Sequence, residues 1–244
     1  MADAHDHDHD HAAPVAPDAV ADRLAAVRGR IDEACRRSDR EPAGVLLVAV
    51  SKTMAVELIR AAAAAGQRDF GENYAHELRD KAAAVPGVRW HFLGKLQRGT
   101  VRHVADIADV VHSGEPGEAV ELLGKRAASG GRVVDVLAQV DFTGRRQGAE
   151  PEELEPFLER LHLLGGIRPV GLMTLPPLGD DAEAARPYFR RLRGLRDRSR
   201  ERWPGLVELS MGMSGDYEVA VEEGATMIRL GTTLFGERPA PGTG

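Results

Sequence analysis

The chain switches between two hydrophobic periods with great regularity. From Val45 to Phe235, short runs rich in β-branched residues alternate with stretches in which apolar residues recur every three or four positions. The spacing predicts helix 18–38, strand 45–51, helix 55–65, strand 69–72, helix 73–84, strand 89–93 and a helical stretch 97–107. It continues with strand 109–112, helix 116–129, strand 133–140, helix 151–164, strand 168–173, helix 182–202, strand 206–210, helix 216–223, strand 226–230 and a short terminal helix. Runs such as Val45-Leu46-Leu47-Val48-Ala49-Val50 are apolar at every position instead of alternate ones, as expected of parallel strands covered on both faces. Eight such units in 244 residues fit an α/β fold of the (β/α)8 TIM-barrel type better than a doubly wound sheet. With no composition break or long linker across 18–238, the barrel is expected to be one domain.

Composition narrows the function classes. A formal charge of −6 argues against general nucleic-acid binding, which favours a basic excess. No apolar run has the length of a membrane span and nothing resembles a signal peptide, so a cytoplasmic protein is expected. The single cysteine, Cys35, excludes an intrachain disulfide. It continues the helical stripe Val20, Leu24, Val27, Ile31 and reads as a buried core thiol. Residues 1–17, with His and Asp alternating from His5 to His11, have little to bury and are expected to be a disordered tail. Its imidazoles could chelate a metal in vitro, but no second shell is at hand to fix them, and no metal site is assigned.

The chemistry is expected at one end of the barrel. Lys52 follows the first apolar strand, and in this architecture ligands sit at the carboxyl ends of the strands. A lysine whose stem lies in low dielectric is biased toward the neutral amine, a nucleophile toward carbonyls. Two glycine-containing loops follow the seventh and eighth strands: Ser210-Met211-Gly212-Met213-Ser214-Gly215-Asp216 and Gly231-Thr232-Thr233. Loops at these positions are the recurrent phosphate site of the fold; Ser214 and Thr232 add hydroxyl donors. Arg229 places a fixed charge at the end of the last strand, where it must be paired or face a ligand. An amine, an anion site and an arginine together suggest a phosphorylated aldehyde, of which pyridoxal 5′-phosphate (PLP) is the commonest cofactor. A guanidinium facing the pyridine nitrogen can only donate, which would keep that nitrogen unprotonated and the ring a weak electron sink.

From Val48 to Gly236 the chain resembles the pyridoxal phosphate homeostasis proteins, whose barrel is similar to the N-terminal domain of alanine racemases. The residues that carry the resemblance are Ala49-Val50-Ser51-Lys52-Thr53, Phe70-Gly71-Glu72-Asn73-Tyr74, Trp90-His91-Phe92-Leu93-Gly94, Leu96-Gln97, Gly171-Leu172-Met173, Leu209 to Ser214 and Thr226 to Thr232. The resemblance implies that Lys52 is the Schiff-base lysine, that Ser214, Gly231 and Thr232 bind the phosphate, that Arg229 lies near the pyridine nitrogen and that Asn73 lines the cofactor pocket. The chain departs from the family pattern at Ala55, Lys95 and Gly99-Thr100.

An active racemase needs proton donors and acceptors on both faces of the cofactor, one of them supplied in alanine racemases by a further domain and the partner subunit. The chain ends soon after Gly236, so no such domain is expected; Tyr74, Tyr188 and Tyr217 read as packing or rim residues and His91 as a structural histidine. The expectation is therefore a PLP carrier for intracellular homeostasis, without efficient catalysis, that passes the cofactor to PLP-dependent apo-enzymes. The rival is a low-activity PLP-dependent racemase or lyase.

Overall fold

In the computed structural model, residues 15–177, 179 and 181–236 are described. The strands are β1 (Leu46–Val50), β2 (Asp69–Glu72), β3 (Arg89–Phe92), β4 (Val110–Gly114), β5 (Val134–Val140), β6 (Ile167–Thr174), β7 (Glu208–Ser210) and β8 (Met227–Leu230). Each pairs in parallel with the next, and β8 closes onto β1 with Leu46 opposite Met227 and Ala49 opposite Leu230. The (β/α)8 reading holds. The helices are α1 (Ala19–Arg37), α2 (Val56–Ala64), α3 (Ala75–Ala84), α4 (Val101–Ile107), α5 (Glu118–Ser129), α6 (Leu154–Leu163), α7 (Arg186–Arg202), α8 (Tyr217–Glu222) and α9 (Thr232–Phe235).

Apolar packing divides into two bodies. The larger lies between strands and helices and includes Phe70, Phe92, Phe189 and Phe235, each worth about 1.5–3 kcal/mol of burial. A small cluster of Val110, Leu137, Met173 and Met227 forms separately, with Leu46 packed against it. These residues come from β4, β5, β6, β8 and β1, so the small cluster fills the barrel interior. Helix α1 starts where Asp18 accepts a hydrogen bond from Ala19 N–H, and it buries Val20, Leu24, Val27, Ile31 and Cys35. Burial raises the Cys35 thiol pKa, which suits an inert core residue.

Several boundaries move for local reasons. Asn73 and Tyr74 form a bend in which Tyr74 is extended, so α3 begins at Ala75. The predicted helix 97–107 opens with a turn through Gly99-Thr100 and becomes α-helical only at Val101. Strand β4 runs on to Gly114, where a side chain would stand 2.7 Å from Leu137 O. The stretch 182–202 splits into a 3-10 turn, Ala182–Ala185, and α7, with Pro187 in the first helical turn. The tail with its His/Asp run falls, over residues 1–14, outside the described residues; Val15 packs against the core. Among the described residues no helix is long and apolar enough to cross a membrane, and no cluster of potential metal ligands occurs.

Candidate functional site

Lys52 sits two residues beyond the end of β1 and is half-buried. Its backbone is held on both sides by a cluster of charges lying behind the turn. Lys81, on α3 and itself buried, donates to Ser51 O at 2.6 Å, to Glu72 Oε1 at 2.8 Å and to Glu77 Oε2 at 2.6 Å. Ser51 Oγ donates to the same Glu72 oxygen at 2.6 Å, and Thr53 N–H donates to Glu77 Oε2 at 2.7 Å. Thr53 is forced to φ +65°, a left-handed conformation that costs a β-branched residue about 1–3 kcal/mol. The Glu77 hydrogen bond and a second one, from Thr53 Oγ1 to Lys52 O at 2.6 Å, hold it there.

The two carboxylates respond differently. Burial raises the pKa of Glu72, against the opposing pull of Lys81 and Ser51, and Glu72 Oε2 has no hydrogen-bond partner among the described residues. Burial also works to raise Glu77, but the hydrogen bonds from Lys81 and Thr53 N–H outweigh it and hold the group below its ordinary value.

Arg229 lies on β8 and is 5% exposed. Its Nη1 donates to Ser210 Oγ at 2.5 Å and its Nη2 to Thr174 O at 3.2 Å. Ser210 and Thr174 are the last residues of β7 and β6, so the guanidinium lies at the level of the barrel mouth. Burial pulls its pKa down to about 10, with Asp216 resisting, so it remains a cation at neutral pH. Behind it runs a buried polar chain. His112 Nδ1 stands 2.7 Å from Ser210 Oγ, His112 Nε2 stands 2.8 Å from His91 Nδ1, and His91 Nε2 stands 2.9 Å from Asp69 Oδ1. The His112–Ser210 contact joins β4 to β7, which are not neighbours, and so crosses the barrel interior. Burial lowers the pKa of both imidazoles, that of His112 strongly, because a proton there would also compete with one on the adjoining His91 and be repelled by the Arg229 cation. The His91–Asp69 contact is thus a hydrogen bond from a neutral ring, not an ion pair.

The remaining predicted residues surround this end of the barrel. Gly231 forms the turn from β8 into α9; a Cβ there would stand 3.2 Å from Val50 O, so the turn lies against the end of β1. Thr232 and Ser214 are exposed. The loop bearing Ser214 is tied to β8 where Arg229 N–H donates to Gly212 O at 3.0 Å. Asn73 follows β2, half-buried, with its carbonyl packed so closely on Gly94 that a side chain at 94 would collide with it at 1.9 Å. Lys52, Asn73, Ser214, Arg229, Gly231 and Thr232 therefore share the C-terminal end of the barrel. His91 is a satisfied structural histidine as read, though its ring is fully buried in the barrel interior and not at the mouth. Tyr74 is 49% exposed at the rim, Tyr188 packs on Phe142 and Tyr217 is buried.

Sequence reasoning missed Lys81, Glu77, Asp69 and His112. The available signal was polarity inside strands otherwise apolar: Asp69 opens β2, and His112 follows Val110-Val111 in β4. Buried polar groups are retained where they bond one another.

Comparison with known proteins agrees with this architecture. Residues 23–239 match the family described as the alanine racemase N-terminal domain. The pyridoxal phosphate homeostasis protein of Aquifex aeolicus (strain VF5) is 41% identical over 222 residues, 89% of this chain and 97% of that relative. That of Pseudomonas aeruginosa is 39% identical, over 90% of this chain and 96% of its own. The structure of PipY from Synechococcus elongatus PCC7942 with PLP bound superposes with a TM-score of 0.79 at 38% identity, covering 89% of this chain and 100% of that one. Alanine racemase from Corynebacterium glutamicum shares the fold at 17% identity, with a TM-score of 0.70 over 93% of this chain and 63% of its own. Matched along nearly its whole barrel, the chain belongs to the pyridoxal phosphate homeostasis protein family.

Proposed function

We propose that this chain binds PLP, carries it on Lys52 and serves intracellular PLP homeostasis, without efficient turnover of amino acids. The observation that supports this most is the placement of Lys52 just beyond the end of β1, where the β8–α9 turn at Gly231 packs on Val50, at the same barrel end as the buried cation Arg229. The donor set fits a phosphorylated aldehyde: a primary amine, hydroxyl and backbone donors from Ser214, Gly231 and Thr232, and a fixed guanidinium. When bound, PLP supplies an aldehyde that condenses with a primary amine and a ring that can accept electrons. The protein's part is positional. The Lys81 cluster fixes the backbone on either side of Lys52, so its side chain departs from a defined turn. Arg229 is the group that would face the ring nitrogen; a guanidinium can only donate, so it would favour that nitrogen without a proton and the ring as a poor electron sink. Asn73 lines the same mouth from β2.

The side chains able to move protons support a carrier better than an enzyme. His91 and His112 use both ring nitrogens within the polar chain, and Tyr74 stands out at the rim. A slow racemase or lyase is the second reading, supported by the match to the alanine racemase N-terminal domain. Transfer to PLP-dependent apo-enzymes and a cytoplasmic location complete the proposal.

The test is absorbance of the protein loaded with PLP, followed by borohydride reduction and peptide mapping. The label is expected on Lys52; a label on Lys95 or Lys81 with Lys52 unmodified would refute the assignment. Incubation of the loaded protein with amino acids in deuterated water, followed by NMR, should show no α-proton exchange beyond a slow background. Robust exchange that disappears in Lys52→Ala and Tyr74→Phe would establish the racemase reading instead.

A further inference from the structure

The polar chain through the barrel has chemically defined ends. At the mouth, the Arg229 guanidinium has only donors. At the other end stands the carboxylate of Asp69, the first residue of β2, which lines a cavity with Arg28, Asp32 and Arg68 at the opposite end of the barrel. A carboxylate only accepts. Between them lie a hydroxyl and two imidazoles, each of which, when neutral, has one donor and an acceptor to use in line. Only one proton arrangement therefore satisfies the contacts. Arg229 Nη1–H donates to Ser210 Oγ, Ser210 O–H donates to His112 Nδ1, His112 Nε2–H donates to His91 Nδ1, and His91 Nε2–H donates to Asp69 Oδ1. A proton added to His91 would set two N–H donors against each other, one added to His112 would turn the Ser210 hydroxyl proton out of the chain, and the burial of both imidazoles opposes either.

We propose that Ser210, His112, His91 and Asp69 are positioning residues for Arg229, forming a single-direction hydrogen-bond chain that fixes its guanidinium in the barrel mouth. The significance for the cofactor rests on the proposed function, in which Arg229 meets the pyridine nitrogen; the fixing of Arg229 does not. Hydrogen bonds in a chain polarise one another, so a carboxylate three groups away can stabilise the guanidinium without pairing with it directly. A carboxylate in direct contact would take two of its N–H groups in a fork and turn them from the mouth. The chain uses one N–H on this side and Thr174 O uses another, which leaves further donors for a ligand.

The experiment has two arms. In the first, nitrogen-15 NMR of the protein without PLP at neutral pH reads the ring tautomers and the guanidinium protons. Both His91 and His112 are expected as the neutral Nε2–H tautomer, with slowly exchanging Arg229 guanidinium protons that become averaged in Ser210→Ala and His91→Phe and return in Ser210→Thr. In the second, PLP titrations are expected to show about 3- to 10-fold weaker binding and a displaced absorbance maximum in both cut variants, with Ser210→Thr close to wild type. Either ring in the Nδ1–H tautomer, or folded cut variants whose Arg229 signals and PLP spectrum match wild type, would overturn the proposal. Should His91→Phe not fold, the Ser210→Ala and Ser210→Thr pair decides. Failure of the wild type to take up PLP would instead refute the functional reading, and the first arm would still decide whether the chain fixes Arg229.

Discussion

The turn that carries Lys52 and the turn that carries Ser214 stand at the same end of one barrel and are held in opposite ways. Around Lys52 the backbone is clamped by a buried lysine, two glutamates and a strained Thr53. Around Ser214 the loop keeps Ser214 and Gly215 exposed, and it is closed by Met213 N–H donating to Asp216 Oδ1 at 2.6 Å and by Asp216 N–H donating to Met213 O at 3.0 Å. Under the proposed function, the difference fits what each would hold. An amine that forms a covalent bond must meet one atom along one direction, whereas a phosphate offers several equivalent oxygens to several donors. Rigidity is concentrated where geometry is least forgiving.

The sharpest way to break the comparison is Lys52→Ala. Covalent retention of PLP after borohydride reduction, read by mass spectrometry, is expected to vanish, while weaker reversible binding through Ser214, Gly231, Thr232 and Arg229 remains. Next in size is Lys81→Met, which leaves Glu72 buried without its cation. It should destabilise the fold by about 3–5 kcal/mol in urea unfolding. Adding Glu72→Leu should recover much of that loss, because the pair is then removed together. At the open turn, Ser214→Ala should weaken PLP binding by about 1–2 kcal/mol, read by titration. Its own effect on stability should stay within about 0.5 kcal/mol.

The smallest effect is one of pH. Because the folded protein holds the Glu77 carboxyl below its ordinary value, that group's contribution is complete above its unfolded pKa and is lost as pH falls through the folded one. Glu72, raised by burial, works the other way and binds its proton more readily when folded. Urea midpoints followed from pH 7 to about pH 3 should therefore fall less steeply in Glu77→Gln than in wild type. Equal slopes would remove Glu77 from the clamp.

Legibility in the sequence tracked the range of the interaction. The strand and helix periods placed all eight βα units, and the errors lay at ends such as Asn73-Tyr74 and Gly99-Thr100, where local turns displaced the helix start. Lys52, Arg229 and the glycine loops were readable because each is an exception to its surroundings: a charge closing an apolar strand, or a glycine where a strand turns into a helix. Lys81 was not, because on an alanine-rich helix with Glu77 four residues before it, a lysine reads as one half of a solvated surface pair.

The sequence by itself determined the barrel, the strand that leads to Lys52 and the position of a fixed cation at the close of the last strand. It could do so because hydrophobic period and turn chemistry are set by residues a few positions apart. Only the tertiary structure decided that Asp69, His91, His112, Ser210 and Arg229 form one chain, and that Lys81 stands behind Ser51 and Thr53. Those contacts depend on how eight strands tilt and close, and a shift of one residue in a single strand turns its side chains from the barrel interior to the helices.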